Sequence, residues 1–360
     1  MKHEATRSRL TAKKLLLIPA AAAVLLAGMF ILHHTKLKSE AHDLQVRGWR
    51  YAAAAGDYTL GYCTSGNDAG AHRIIAIADL GVNDYSIRLR NLCSGLVSGN
   101  LVVCMDRAGC GISVDTKTPQ TAEQIVADYR TALKNANIQP PYILLPHAFG
   151  SVYAAYWESM YPEEIEGVFF LDGTCLPVSD PVSYSSSKAS FQKLLADFGL
   201  QRLKKYPLPA GFSGAEMQNA RMLNIRSAMT SAQISEMQLA TENCRTADAA
   251  LVTNDIPKAF INAASFKTPE DWLAADDFAR TFRRLPDLTD TERLEAAADA
   301  VTRAQTYEAA VVLPYLERLG ACTYYALPGD SEIYMQKPMQ CAVLFSQFLT
   351  QIENKKAASN

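Results

Sequence analysis

Tyr142-Ile143-Leu144-Leu145-Pro146-His147-Ala148-Phe149-Gly150-Ser151-Val152-Tyr153 is the stretch that decides the fold. Its opening apolar run suits a strand buried on both faces, and the small residues after His147 suit a sharp turn into a helix from Ser151 to Met160. The same grammar recurs on both sides. Upstream, Arg73 to Ala78 (RIIAIA) and Leu101 to Met105 (LVVCM) are further buried-strand runs, with a helix predicted between them from Tyr85 to Leu96. Tyr58 to Thr64 reads as a strand. Thr121-x-x-Gln124 reads as a capping box opening a helix to about Ala136, which Pro140-Pro141 ends. Downstream, Gly167 to Leu171 is the next strand, Ala259 to Ala264 resumes the sheet, Ala321 to Leu327 closes it, and a helix from Met339 to Ile352 follows.

Residues 176 to about 255 break this rhythm. They are rich in Ser, Lys, Gln and Met, with helical stretches at Phe191 to Phe198 and Ala215 to Ala240 and no buried strand, and so read as a mainly helical cap insertion. The alternation predicts an α/β fold over residues 47–354, with a doubly wound, mostly parallel sheet, followed by a polar tail at 355–360.

The chain has 360 residues, 49% of them hydrophobic, enough for one large domain with a full core. A formal net charge of -2 carries no nucleic-acid footprint, so nucleic acid is not an expected partner. Leu15 to Leu32 is an uncharged run that as a helix spans roughly 27 Å, near the thickness of a hydrocarbon core. Lys2, Arg7, Arg9, Lys13 and Lys14 precede it, against Lys36 and Lys38 after it. This asymmetry predicts a signal-anchor in the cell membrane: residues 1–14 cytoplasmic, 15–32 spanning, 33–46 a polar juxtamembrane linker, and the body extracytoplasmic. A cleaved signal peptide is disfavoured, because the apolar run is long and only Ser39-Glu40-Ala41 approaches a cleavage site. His33, His34 and His42 read as part of a solvated stalk rather than a metal cluster. All eight cysteines follow the anchor; an even number outside the cytosol permits disulfides, and their spacings match no zinc pattern. No cofactor is expected.

Four pieces in order resemble the α/β-hydrolase superfamily. Cys104 to Ser113 (CMDRAGCGIS) resembles its D-R-x-G-x-G-x-S turn after a buried strand, and Tyr142 to Tyr153 sits where the strand, nucleophile elbow and helix belong. Tyr161-Pro162-Glu163-Glu164-Ile165 before GVFFLD resembles the Y-P-E-x-V segment, and Leu327-Pro328-Gly329-Asp330-Ser331 occupies the place of the histidine loop. The proline before His147 is similar to membrane-anchored bacterial members with a P-H-S elbow. The resemblance implies a serine-hydrolase ancestry with an ester- or amide-like substrate.

Where the resemblance places the nucleophile, this sequence has Ala148, whose methyl group cannot attack a carbonyl. The general base of this fold follows the nucleophile in chain order, yet no histidine follows His147, and the implied histidine position is Ser331. The acid position is open: Asp172 follows the strand after the elbow, while Glu270 and Asp271 lie after the next strand. By resemblance Leu80 and Phe149 supply the backbone N–H groups of the oxyanion hole, and His147 packs behind the elbow. Asp79 is an unusual neighbour there, because a carboxylate opposes a developing negative charge.

Loss of either serine or histidine from a triad costs about a millionfold in turnover, and loss of both little more. The expected reading is a catalytically inactive pseudo-hydrolase that binds a small-molecule or protein ligand in the vestigial pocket, or scaffolds a relative. The alternative is an active ester or amide hydrolase with displaced machinery, such as Cys110 or Cys175, either of which would need a base and a lowered pKa. An alanine placed at 148 to trap substrate accounts for that change and leaves Ser331 unexplained.

Overall fold

Ile74, Ile75, Ala76 and Ile77 alternate between two separate cores, which is why the central strands read as continuous apolar runs. Ile75, Ile77, Val103, Leu144 and Phe170 pack on one face of the sheet. Ile74, Ala76, Val102, Ile143 and Phe169 pack on the other. Each central strand is therefore covered twice, as a doubly wound sheet requires.

The strands are Arg50–Ala53 (β1), Thr59–Gly66 (β2), Arg73–Ile77 (β3), Leu101–Met105 (β4), Tyr142–Pro146 (β5), Ile165–Leu171 (β6), Asn254–Asn262 (β7) and Gly320–Ala326 (β8). They form one eight-stranded sheet in the order β1-β2-β4-β3-β5-β6-β7-β8. β2 runs antiparallel to β1 and β4, and every other neighbouring pair is parallel. The structure is a computed structural model. It describes the backbone of residues 2–178 and 184–359, and the side chains of 21–178 and 184–358.

The helices are Lys2–Val46 (α1), Tyr85–Arg88 (α2), Arg90–Leu96 (α3), Ala122–Asn135 (α4), Gly150–Met160 (α5), Ser186–Asp197 (α6) and Gly214–Arg226 (α7). Then come Ser231–Ala250 (α8), Pro269–Arg280 (α9), Asp290–Tyr307 (α10), Leu313–Leu319 (α11), Ile333–Gln336 (α12) and Pro338–Ser359 (α13). Thr121 caps α4 by accepting from the Gln124 N–H at 3.2 Å. The Gln124 side chain donates to Tyr58 and Asp128 instead of returning to the cap, so the predicted box is half made. The insertion is helical as expected. Its long predicted helix is broken by Met229 at φ 57, and Thr230 then caps α8.

Two expectations at the ends change. Residues 33–46, read as a polar linker, continue α1 and dock on the body. Leu44 is fully buried, and His33 is buried where Arg202 donates to its Nδ1 at 3.0 Å. Burial, with the Arg202 charge adding to it, lowers the His33 pKa to about 4. Polarity misled here because the polar groups of this segment meet partners on the insertion rather than water. The tail at 355–360 is helical through Ser359 as the end of α13, and Lys356 pairs with Glu166. Among the described residues no helix is long and apolar enough to cross a membrane, and the side chains of 15–20, the start of the expected anchor, lie outside the described residues.

Candidate functional site

The turn between β5 and α5 keeps the shape of a nucleophile elbow. Ala148 holds φ 44, a left-handed conformation that a residue with a Cβ adopts only when its surroundings impose it. Those surroundings are visible: the Ala148 N–H donates to the Leu171 carbonyl at 3.2 Å, and the Thr174 N–H donates to the Ala148 carbonyl at 3.1 Å. Gly150 is required by close approach, since a Cβ there would lie 2.6 Å from the Ile77 carbonyl oxygen. Ala148 itself is half-buried, so the elbow still presents a side chain to the site, but that side chain is a methyl.

The oxyanion donors predicted from sequence are brought together by the ends of β3 and β5, and they are already engaged. Asp79 Oδ1 accepts from the Leu80 N–H at 2.7 Å and from the Phe149 N–H at 2.9 Å. One carboxylate oxygen thus takes both of the N–H groups that the resemblance assigns to an oxyanion hole. Asp79 is positioned in turn by Arg107, whose guanidinium donates to the carbonyls of Ala78 (2.7 Å) and Asp79 (2.8 Å).

Arg107 is buried, with its Nε 2.7 Å from Glu236 Oε1, an ion-pair contact without an aligned N–H bond. Tyr153 donates to the same carboxylate at 2.8 Å. The D-R turn motif signals Arg107. Nothing local in the insertion signals Glu236, because its role comes from α8 packing against α5.

His147 is buried behind the elbow, stacked on Tyr85 and edge-on to Tyr334. Its Nε2 lies 2.9 Å from the Ser331 carbonyl oxygen. A carbonyl only accepts, so Nε2 carries the hydrogen of that bond and is not a base toward residue 148. Ser331 is exposed on the loop after β8, beside His147 as its sequence position requires. Besides the His147 bond, the loop is held by charge. Arg283 pairs with Asp330 at 2.8 Å and reaches Glu332 at 3.4 Å, and Arg88 links Glu332 (2.9 Å) to Asp84 (2.7 Å).

Of the acid candidates, Asp271 is spent in the capping box of α9 with Thr268, on the exposed surface. Glu270 lies in the first turn of that helix. Asp172 is at the site: it follows β6 at φ 50, and its Oδ1 accepts from the Ala263 N–H at 2.9 Å, tying the end of β6 to the end of β7. A cleft of about 290 Å³ opens between Asp172 and Ser331, lined also by Phe266, Trp272 and Arg283.

Burial pushes the Asp172 pKa up to about 6, only partly offset by the Ala263 N–H and His147. A carboxyl whose folded pKa lies above its unfolded value favours the fold when protonated, and that advantage is lost as pH rises from about 4 through about 6. Asp172→Asn keeps an acceptor for Ala263 and removes the ionisation. It is expected to raise stability at pH 7 by up to about 3 kcal/mol, with no gain below about pH 4. Denaturant midpoints at the two pH values check this, and an equal effect at both would remove ionisation as the cause.

Three comparisons place this geometry. No protein-family model matches the sequence. Uncharacterized protein YbdG of Bacillus subtilis (strain 168) is 28% identical over 193 residues, 53% of this chain and 54% of that one. Uncharacterized protein YqjL of the same organism is 26% identical over 166 residues, 43% of this chain and 65% of that one. The aligned parts therefore span less than two thirds of these relatives' length.

Solved structures match further along the chain. Haloalkane dehalogenase DbeA from Bradyrhizobium elkani aligns with a TM-score of 0.56 at 14% identity, covering 86% of this chain and 99% of that one. The enol-lactonase from Burkholderia xenovorans LB400 aligns at 0.54 and 17% identity, covering 84% and 100%. This chain has the α/β-hydrolase fold. The epoxide hydrolase CorEH aligns in the same way, at 0.56 and 16% identity over 84% of this chain and 99% of that one. The mostly parallel sheet, the sharp turn after β5 and the helical insertion after β6 are the features of the α/β-hydrolase fold that sequence reading anticipated.

Proposed function

We propose that this chain is a pseudo-hydrolase: a domain that keeps the hydrolase framework and uses its pocket for recognition or scaffolding rather than bond cleavage. The observation that carries the reading is the Asp79 carboxylate, which accepts from both the Leu80 and Phe149 N–H groups. A tetrahedral intermediate needs those donors at the moment its oxygen becomes negative, and a resident anion both occupies them and repels the charge. Ala148 and Ser331 add the absence of a nucleophile and a base at their positions. A carboxylate beside the elbow, with Asp172 close by, favours a ligand group that donates hydrogen bonds over a carbonyl that accepts them. The N-terminal run at 15–32 supports anchoring in the cell membrane with the domain on the extracytoplasmic side.

The displaced-thiol alternative is weakened by the environment of its two candidates. Cys110 and Cys175 are both buried, and burial pushes each thiol up to about 12, opposite to what a nucleophilic cysteine needs. All eight cysteines are free thiols in the structure. The native fold is expected to leave Cys110 and Cys175 unmodified by iodoacetamide at pH 7.5, as read by peptide mass mapping, with alkylation appearing on denaturation.

The test of the main reading is the full chain with a fluorophosphonate probe and a panel of short-chain esters. Labelling and turnover at the level of heat-denatured protein are expected. Saturable turnover well above that level would show a working nucleophile and overturn the reading.

A further inference from the structure

The insertion carries an apolar face of its own, which touches α1 at its C-terminal end. On α6, Phe191 and Leu194 are 60% and 51% exposed, and with Phe198 they follow helical spacing on one side. Phe198 meets the ring of Phe30 on α1 at 5.9 Å. Val24, Leu25, Ile31 and Leu32 of α1 are exposed as well, on the side of that helix opposite the one that meets the insertion. Two large apolar side chains on a short helix, joined through an aromatic contact to a second exposed apolar helix, form a patch of the kind that marks an interaction surface.

The joint between the two helices is firm. Arg202, just past α6, forms an ion pair with Glu40 at 2.6 Å and donates to His33. The guanidinium of Arg226 on α7 donates to the Leu37 carbonyl at 2.5 Å. Gly199 lies so close to His33 that a Cβ there would meet the His33 Cβ at 2.9 Å. The orientation of α6 relative to α1 is thus fixed by packing and paired charge.

Charge selects the occupant. Between Tyr184 and Lys205 the sequence has five basic residues and one acidic residue, Asp197, in a chain whose net charge is -2. Asp197 is paired with Lys193 at 3.5 Å, while Lys188, Lys204 and Lys205 are exposed. Exposed lysines in the same segment as exposed Phe and Leu match a lipid surface, where the apolar groups enter the acyl boundary and the lysines meet anionic headgroups.

We propose that the α6 face of the insertion docks on an anionic phospholipid bilayer, so that the domain lies on the membrane instead of standing clear of it on a stalk. This rests on the anchor reading given above. α1 brings the chain to the bilayer, and Phe191, Leu194, Lys204 and Lys205 set how the domain sits upon it.

The test uses the full chain reconstituted in vesicles of phosphatidylcholine, with or without phosphatidylglycerol. Photoreactive benzoylphenylalanine replaces Leu25, Leu194 or Leu294 in separate preparations; Leu294 is an exposed leucine on α10, 55% accessible. Several-fold more lipid adducts are expected at 194 than at 294. They should increase with phosphatidylglycerol and fall when Lys204→Glu and Lys205→Glu are combined. Lipid adducts at 25 with none above the 294 level at 194 would leave the anchor standing and overturn the docking. Absence at both 25 and 194 would overturn the anchor reading and the docking with it. Adducts at 194 to a second copy of the chain would replace the bilayer with self-association.

Discussion

Restoring only the missing side chains, Ala148→Ser with Ser331→His, is expected to leave the chain a very poor hydrolase, and adding Asp79→Gly is expected to raise its ester turnover about 10²- to 10³-fold. The elbow is preformed, since Ala148 already holds φ 44, so a serine there inherits the strained exposure of a nucleophile. Position 331 lines the cleft that Asp172 also lines, on the loop that carries the imidazole in this fold. What the double variant still lacks is a place for the oxyanion, because Asp79 Oδ1 keeps both N–H groups. Loss of one such donor typically costs two to three orders of magnitude in turnover, and here both are engaged by an anion. Glycine at 79 frees them without touching the Arg107 bond to the residue's carbonyl. Steady-state ester kinetics and fluorophosphonate labelling of the natural, double and triple forms check this. Equal rates for the double and triple variants would show that Asp79 is no obstacle to catalysis.

Arg107→Ala is expected to cost about 3–5 kcal/mol of stability, the largest effect of any single truncation near the site. The guanidinium is 3% exposed, donates to two carbonyls and faces the equally buried Glu236, so its removal strands a carboxylate in the core. Replacing both partners by apolar residues, Arg107→Met with Glu236→Leu, should recover much of that loss, because the cost lies in the unpaired charge rather than in the pair. Urea midpoints of the single and double variants separate the two contributions as a cycle. A loss below about 1 kcal/mol for Arg107→Ala would mean that water already reaches Glu236.

Both predictions concern residues that the chain order exposes to different degrees. The residues behind the proposed inactivity were legible without a structure. An alanine at the elbow and the absence of any histidine after His147 are facts of sequence. So were the central strands, because a strand covered on two faces must be apolar at every position, and the turn after β5, because at 150 only a glycine tolerates the approach of β3. The assignment of Asp172 over Asp271 was not legible, since both follow a strand. The bond to Ala263 and the cleft shared with Ser331 separate them, while Asp271 is taken by a helix cap.

The sequence by itself thus determined the strand and helix alternation, the helical insertion, an alanine at 148 and the absence of any histidine after His147, because these depend on local pattern and on side-chain chemistry at single positions. Tertiary structure alone decided that Asp79 occupies the oxyanion donors, that Glu236 faces Arg107 across 129 residues of chain, and that the segment after the expected anchor is a docked helix. The physical reason is common to all three: each depends on which distant groups meet in space, and a polar residue carries no local sign of whether its partner will be water, a backbone N–H or a buried charge.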